Sequence, residues 1–161
     1  MNKLITLILI ALTIVSCKKV GCTDLDSINY DKTAEKSIDN CSYMNVKRID
    51  VIVPYNQYDT ITNSPPELYV KIFKKKSPEE IYLSSYGYES FNQPLYYTST
   101  VKCTNELWTI EVWDRDLEDN DDYIVSGDYN PLELGNEGKI VFDILLNNNQ
   151  KVNIKMYYDT E

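Results

Sequence analysis

The sequence contains no histidine. Ser–His–Asp and Cys–His catalysis, His general bases and His-ligated zinc are therefore excluded. Basic residues are scarce too: 16 Lys and Arg against 25 Asp and Glu give a net charge of −9, a balance that disfavours a nucleic-acid partner. Five Gly and six Pro in 161 residues are too few for a low-complexity chain. There is no nucleophile–base pair, glycine-rich phosphate loop or transition-metal spacing, so an enzyme is not expected. What the chain does have is tyrosine, 14 of them within a 43% hydrophobic composition. That suits a packed β-rich domain, and the length fits one domain with a short appendage.

Met1-Asn2-Lys3 precede the apolar run Leu4–Val15. A helix needs about 20 such residues to cross a bilayer, so the run is too short to span and has the length of a signal-peptide hydrophobic region. A buried N-terminal helix is the competing reading, and it leaves the position of Cys17 unexplained. Ile14-Val15-Ser16-Cys17 resembles the lipobox of bacterial lipoproteins. The resemblance implies removal of residues 1–16, a lipid on the sulfur of Cys17, and a chain held at the cell envelope by a membrane anchor. The mature chain then has 15 bases against 25 acids. Lys18-Lys19-Val20 follow, without the acidic tract that in some bacteria directs lipoproteins to the cell surface. The periplasmic face of the outer membrane is favoured, with the surface as the alternative.

Residues 21–43 show no helical or strand period and are rich in Asp, Asn, Ser and Thr, which predicts an irregular segment. They are similar to a Cys-bounded motif, G-C-T-D-x-x-x-x-N-Y-D…C-x-Y, of bacterial secreted and surface proteins. That similarity implies a Cys22–Cys41 disulfide, consistent with an oxidising compartment. Closing a loop of about 20 residues stabilises such a segment by roughly 3 kcal/mol. Asp24, Asp26, Asn29 and Asp31 either ligate a cation or form turns and meet solvent, the second reading being favoured. Cys103 is left over and is expected to be a buried free thiol.

From residue 44 the pattern changes to short strands: 46–53, 68–73, 80–84, 95–101, 107–113, 123–126, 139–146 and 151–158. Ser64-Pro65-Pro66, Ser77-Pro78, Asn130-Pro131 and Asn147–Asn149 separate them. Eight strands without an amphipathic helix predict an all-β fold, an eight-stranded antiparallel β-sandwich over 44–161. Trp108, Ile110 and Val112 share one face, with Thr109 and Glu111 on the other. The final two strands, around three Asn, read as a hairpin.

The densest feature is Glu111–Asp122, EVWDRDLEDNDD, with seven carboxylates and one Arg after a strand. Their mutual repulsion calls for an offset, and a hard divalent cation supplies one; a solvated acidic turn is the alternative. An EF-hand is excluded, because Asp119 stands where that loop needs Gly. V-W-D-R-D-L-E-D-N-D-D-Y-I is similar to the third calcium loop of C2 domains, and Glu67-Leu68-Tyr69-Val70-Lys71-Ile72-Phe73 resembles the strand that follows the first. The resemblance covers about three quarters of the chain. It implies a C2-like module with Ca2+ on Asp114, Asp116 and Asp122, with Asp121 as neighbour to the last. Glu67 stands where the family places Asp, Leu68 replaces its Pro, and Asp59 is the nearest residue to the earlier acid. Such departures imply weak binding, of the about 10⁻⁴–10⁻³ M order that extracellular modules tolerate. At the tip, Leu117 is followed by Glu118 and Asp119, which suits membrane insertion poorly.

Two more features have competing readings. Lys71, Lys74, Lys75 and Lys76 resemble the basic strand that some C2 domains present to anionic lipid or sugar, or else they solubilise a hairpin. Tyr82, Tyr86, Tyr88, Tyr96 and Tyr97 form a glycan or protein contact face, or cover the core with hydroxyls in water. The sequence thus predicts an anchored binding module. Its partner at the loop end is a protein, glycan or lipid headgroup. The alternative is a structural or adhesin-like sandwich that works without metal.

Overall fold

A computed structural model describes residues 18–53, 67–77, 79–88, 94–116, 120–134, 138–146 and 151–160. The proposed signal segment 1–16, Cys17, Asp59 and Leu117–Asp119 lie outside the described residues. Eight strands form two antiparallel sheets. One has the order β10(Lys139–Leu145), β11(Lys151–Thr160), β3(Met44–Ile52), β7(Leu95–Lys102). The other has the order β5(Glu79–Leu83), β4(Glu67–Lys74), β8(Trp108–Asp114), β9(Asp122–Tyr129), with the two-residue β6(Gly87–Tyr88) added beside β4. All eight sequence-predicted strands are present, so the chain is an antiparallel β-sandwich.

Alternation explains how the sheets face each other. Along β8, Trp108, Ile110, Val112 and Asp114 are buried while Thr109, Glu111 and Trp113 are half-buried on the outer face. Leu68, Val70 and Ile72 on β4 and Val152, Ile154 and Met156 on β11 complete the core with Ile49 and Val51. Each of these side chains contributes about 1.5–3 kcal/mol by leaving water. In β3 the period breaks: Val46 and Ile49 both face inward, because Lys47 is skipped in the ladders to β11 and β7. A one-residue bulge of this kind restores the apolar face after an extra residue. Outside this sheet Arg48 pairs with buried Asp50 at 2.7 Å and lies over the rings of Tyr96 and Tyr157, at 4.9 and 4.3 Å. Where β9 passes β10, Gly127 lets Ile144 approach; a Cβ there would meet Ile144 Cδ1 at 2.9 Å.

A one-turn helix, α1(Pro131–Leu134), links β9 to β10. Asn130 caps it, its Oδ1 accepting from Leu132 N at 3.1 Å, and Pro131 occupies the first helical position. The separator Asn130-Pro131 is thus a helix start.

The segment before β3 folds as a cap on one end of the sandwich. Cys22 and Cys41 are disulfide-bonded, with Cα atoms 5.2 Å apart. To its otherwise irregular course the structure adds a parallel pair, β1(Val20–Gly21) beside β2(Lys36–Ser37). The polar residues serve turns and docking. Asp24 accepts from Asp26 N at 2.9 Å and from Tyr43 Oη at 2.7 Å, and Asp31 accepts from Thr33 N at 2.9 Å. Asn29 Oδ1 accepts from Ser42 N at 2.9 Å. Asp26 accepts from Asn105 N at 2.7 Å, tying the cap to the sandwich. These acids are turn formers, the favoured of the two sequence readings. Cys103 is free and fully buried, and burial pushes its thiol up to about 12.

Candidate functional site

The two ends of the sandwich differ. Met44, Lys102, Trp108, Tyr129 and Thr160 meet at the cap end, as the register pairs Met44 with Thr160, Asn45 with Lys102 and Trp108 with Tyr129. At the far end, Leu68 pairs with Asp114 and Asp114 with Asp122. The acidic run therefore caps the end away from the disulfide.

Each predicted ligand has a definite place. Asp114, 3% exposed, continues the inward face of β8, and its Oδ1 accepts from Glu67 N at 2.8 Å. Asp122 is exposed and sits directly across the ladder from Asp114. Like charges in direct register are destabilising unless something offsets them. Asp121 closes the loop: its Oδ1 accepts from Asp116 N at 3.3 Å and its Oδ2 from Tyr69 Oη at 2.6 Å. Burial and that carboxylate raise the Tyr69 hydroxyl's pKa well above its ordinary value. Glu67 lies 3.5 Å from Arg115, whose N donates to Glu67 O at 3.0 Å. Asp114, Asp116, Asp121, Asp122 and Glu67 thus share one end; Asp59 lies outside the described residues.

Calcium takes hard oxygens, and the donor chemistry here is right for it. The arrangement is less so. Among the described residues no group of three or more acidic or Cys side chains is placed to hold a metal ion. Asp121 has both oxygens, and Asp114 its Oδ1, engaged by protein donors. The residues fit a cation by composition, and a ligand shell would require some of these hydrogen bonds to be exchanged.

Beside the acids, aromatic rings cross the outer face of four neighbouring segments. Tyr69 packs edge-on against Tyr86 at 5.3 Å and parallel to Trp113 at 6.5 Å, and Trp113 meets Tyr123 at 5.4 Å. Arg115 lies 4.2 Å from the Tyr86 ring centre, and Lys71 lies 4.7 Å from that of Trp113. Trp113 Nε1 donates to Glu111 at 2.8 Å. Tyr69 was not singled out by the sequence; its signal is alternation along Leu68–Phe73, which puts a tyrosine on the outer face beside the acidic turn.

The other sequence candidates divide. Lys74 lies between Glu79 and Glu106 at 3.5 and 3.6 Å, and Lys75 pairs with Asp128. Half of the basic strand is thereby neutralised, favouring the solubilising reading. Tyr97 is buried and donates to Leu68 O at 2.8 Å, while Tyr82 donates to Thr98 O at 2.8 Å. These hydroxyls meet backbone carbonyls instead of the water expected, because a phenol on a packed surface keeps its hydrogen bond. Tyr86 and Tyr96 are exposed.

No protein-family model and no curated protein sequence matches the chain. Among solved structures, human GIVD cytosolic phospholipase A2 is similar over 75% of this chain and 16% of its own, with 11% identity and a TM-score of 0.56. BON1-C2B is similar over 74% of this chain and 92% of its own, with 10% identity and a TM-score of 0.51. A C2 domain structure aligns over 74% of this chain and 98% of its own, at 17% identity and a TM-score of 0.49. The chain spans about a sixth of the phospholipase, so that enzyme's activity does not transfer to it.

Proposed function

We propose that the chain is a non-enzymatic binding module, anchored to the envelope membrane by a lipid on Cys17, that docks a partner at its acidic loop end with calcium bound there. Its C2-like β-sandwich is a scaffold of the kind that carries function in its loops. The observation that carries this reading is the direct pairing of Asp114 with Asp122, beside Asp116 and Asp121, at the end of β8. A divalent cation on Asp114, Asp116 and Asp122 offsets that repulsion and leaves a metal centre flanked by Tyr123, Trp113 and Arg115 for the partner. The partner is a protein, glycan or lipid headgroup; nucleic acid is not among the candidates at this net charge.

A second reading has its own support. The hydrogen bonds of Asp121 to Tyr69 and Asp116, and of Asp114 to Glu67, close the loop without metal. The module would then be structural or adhesin-like, with contacts through the aromatic face. Calorimetric titration separates the two. Calcium should release heat with the parent and none with Asp114→Asn plus Asp116→Asn. A double variant that binds as the parent does would discard the site, and a silent parent would leave the metal-free reading. Proteolysis between Trp113 and Tyr123 should likewise slow with calcium under the first reading and stay unchanged under the second.

A further inference from the structure

Among the described strands, the two sheets of the sandwich end in β5, β7, β9 and β10. An edge strand leaves a row of backbone donors and acceptors open to another strand, and bulges, charges or proline ordinarily spoil it. The ladders that reach β5, β7 and β9 each carry a register shift, between Ile72 and Phe73, Val46 and Arg48, and Val112 and Trp113. β10 differs. It pairs with β11 in unbroken register, from Lys139 opposite Tyr157 to Leu145 opposite Lys151, and it contains neither Gly nor Pro. Two of its apolar side chains are exposed, Val141 at 49% and Leu145 at 63%. Tyr158 N donates to Gly138 O at 2.9 Å, so the alternation of an antiparallel ladder turns the backbone groups of the even-numbered residues toward β11. Lys139, Val141, Asp143 and Leu145 then present theirs at the open edge.

We propose that two copies of the chain join along β10, antiparallel about a two-fold axis through Val141, so that their four-stranded sheets become one continuous sheet. A two-fold contact must be complementary to itself, and this strand is. With Val141 facing Val141 on the axis, Lys139 of each copy stands opposite Asp143 of the other. Opposite charges directly across a ladder are favourable and like charges are not. Sliding the pairing by two residues sets Val141 against Lys139 or Asp143, and sliding it by four sets Lys139 or Asp143 against itself, so one register is selected. Its three pairs exchange about six backbone hydrogen bonds. The net charge of −9 does not bar the contact locally, because Lys139, Lys151 and Lys155 outnumber Asp143 on this face of β10 and β11. Asp143 accepts from Asn153 Nδ2 at 2.7 Å and faces Lys151 at 3.7 Å, and a carboxylate has acceptor sites left for a second ammonium. Because β10 runs from the cap end toward the acidic end, the two copies point in opposite directions. The contact needs neither calcium nor the lipid anchor.

The test is disulfide trapping in the full chain, solubilised in detergent, mildly oxidised and read against the parent on a non-reducing gel. Val141→Cys places two thiols at a pair whose Cα atoms are about 5.5 Å apart, within disulfide reach, and should give a covalent dimer. Asp143→Cys alone should give none, because its two copies are offset along the strands by roughly 14 Å. Lys139→Cys mixed with Asp143→Cys should cross-link. In the Val141→Cys background, Lys139→Asp should lower the dimer yield several-fold, and adding Asp143→Lys should restore it. All three replaced residues are exposed, and continued protection of the buried Cys103 from alkylation verifies that each variant is folded. Equal trapping by Val141→Cys and Asp143→Cys would mark random collision and overturn the proposal, as would no dimer from Val141→Cys. Shielding of the thiol introduced at 141 without a dimer would assign the edge to a different partner strand and overturn the second copy.

Discussion

Asp114 is the residue at which fold and proposed site meet, and two substitutions there separate its roles. The side chain is 3% exposed and its Oδ1 accepts the amide of Glu67, the residue that starts β4. Asp114→Ala removes the acceptor and leaves that amide without its partner, at a cost of about 1–3 kcal/mol. In a domain of this size each kcal/mol lowers the melting temperature by about 3–5 °C. Asp114→Asn keeps a carbonyl oxygen in place and removes the repulsion with Asp122 across the ladder, which gives back about 0.2–1 kcal/mol. Thermal unfolding in chelator should therefore show the Ala protein several degrees below the parent and the Asn protein close to it. If Ala is as stable as the parent, the amide contact does not hold the loop. If Asn falls as far as Ala, the negative charge and not the acceptor is what the fold requires. With calcium the order changes: only the parent should gain stability, because Asn supplies one neutral oxygen where a ligand carboxylate is needed.

Reducing the Cys22–Cys41 bond should cost the cap about 3 kcal/mol and leave the sandwich folded, since the buried core between the two sheets is built from residues 44 onward. Proteolysis with and without reductant checks this, with cuts expected only within 19–42; simultaneous loss of the sandwich would refute it. Cys103, held up at about 12 by burial against an ordinary 8.5, favours the protonated folded state. Its contribution is complete below the unfolded value and is lost as pH rises through the window from 8.5 to 12. Melting temperature should therefore fall on the alkaline side and the thiol should resist alkylation until the protein unfolds. Cys103→Val should make that alkaline fall shallower, and an unchanged profile would contradict the assignment.

Local alternation was readable from the sequence, and long-range register was not. Trp108, Ile110 and Val112 announce the inward face of β8, and the same period continued by one step buries Asp114. That Glu67 donates to Asp114 depends on β4 pairing with β8 across some 47 residues of sequence, which no local pattern encodes. The Lys47 bulge is similar: Val46 and Ile49 look out of phase until the pairing partners of both neighbours are known. The acids of the cap resemble ligands by type alone. Their partners Tyr43, Thr33 and Asn105 decide for turns and docking, and the last comes from 79 residues away. The aromatic row was not legible in the sequence because Tyr69, Trp113 and Tyr123 lie on three different strands.

Calcium binding at the loop end is tested most directly by thermal unfolding of a soluble chain beginning at Lys18. It is run in chelator, then with millimolar calcium, then with magnesium. A ligand selective for the native state contributes about 1.4 kcal/mol at ten times its dissociation constant and about 2.7 kcal/mol at a hundred times. The melting temperature should rise several degrees with calcium, little with magnesium, and not at all in Asp114→Asn plus Asp116→Asn. Identical melting in chelator and calcium would contradict it and leave the acids as a hydrogen-bonded turn.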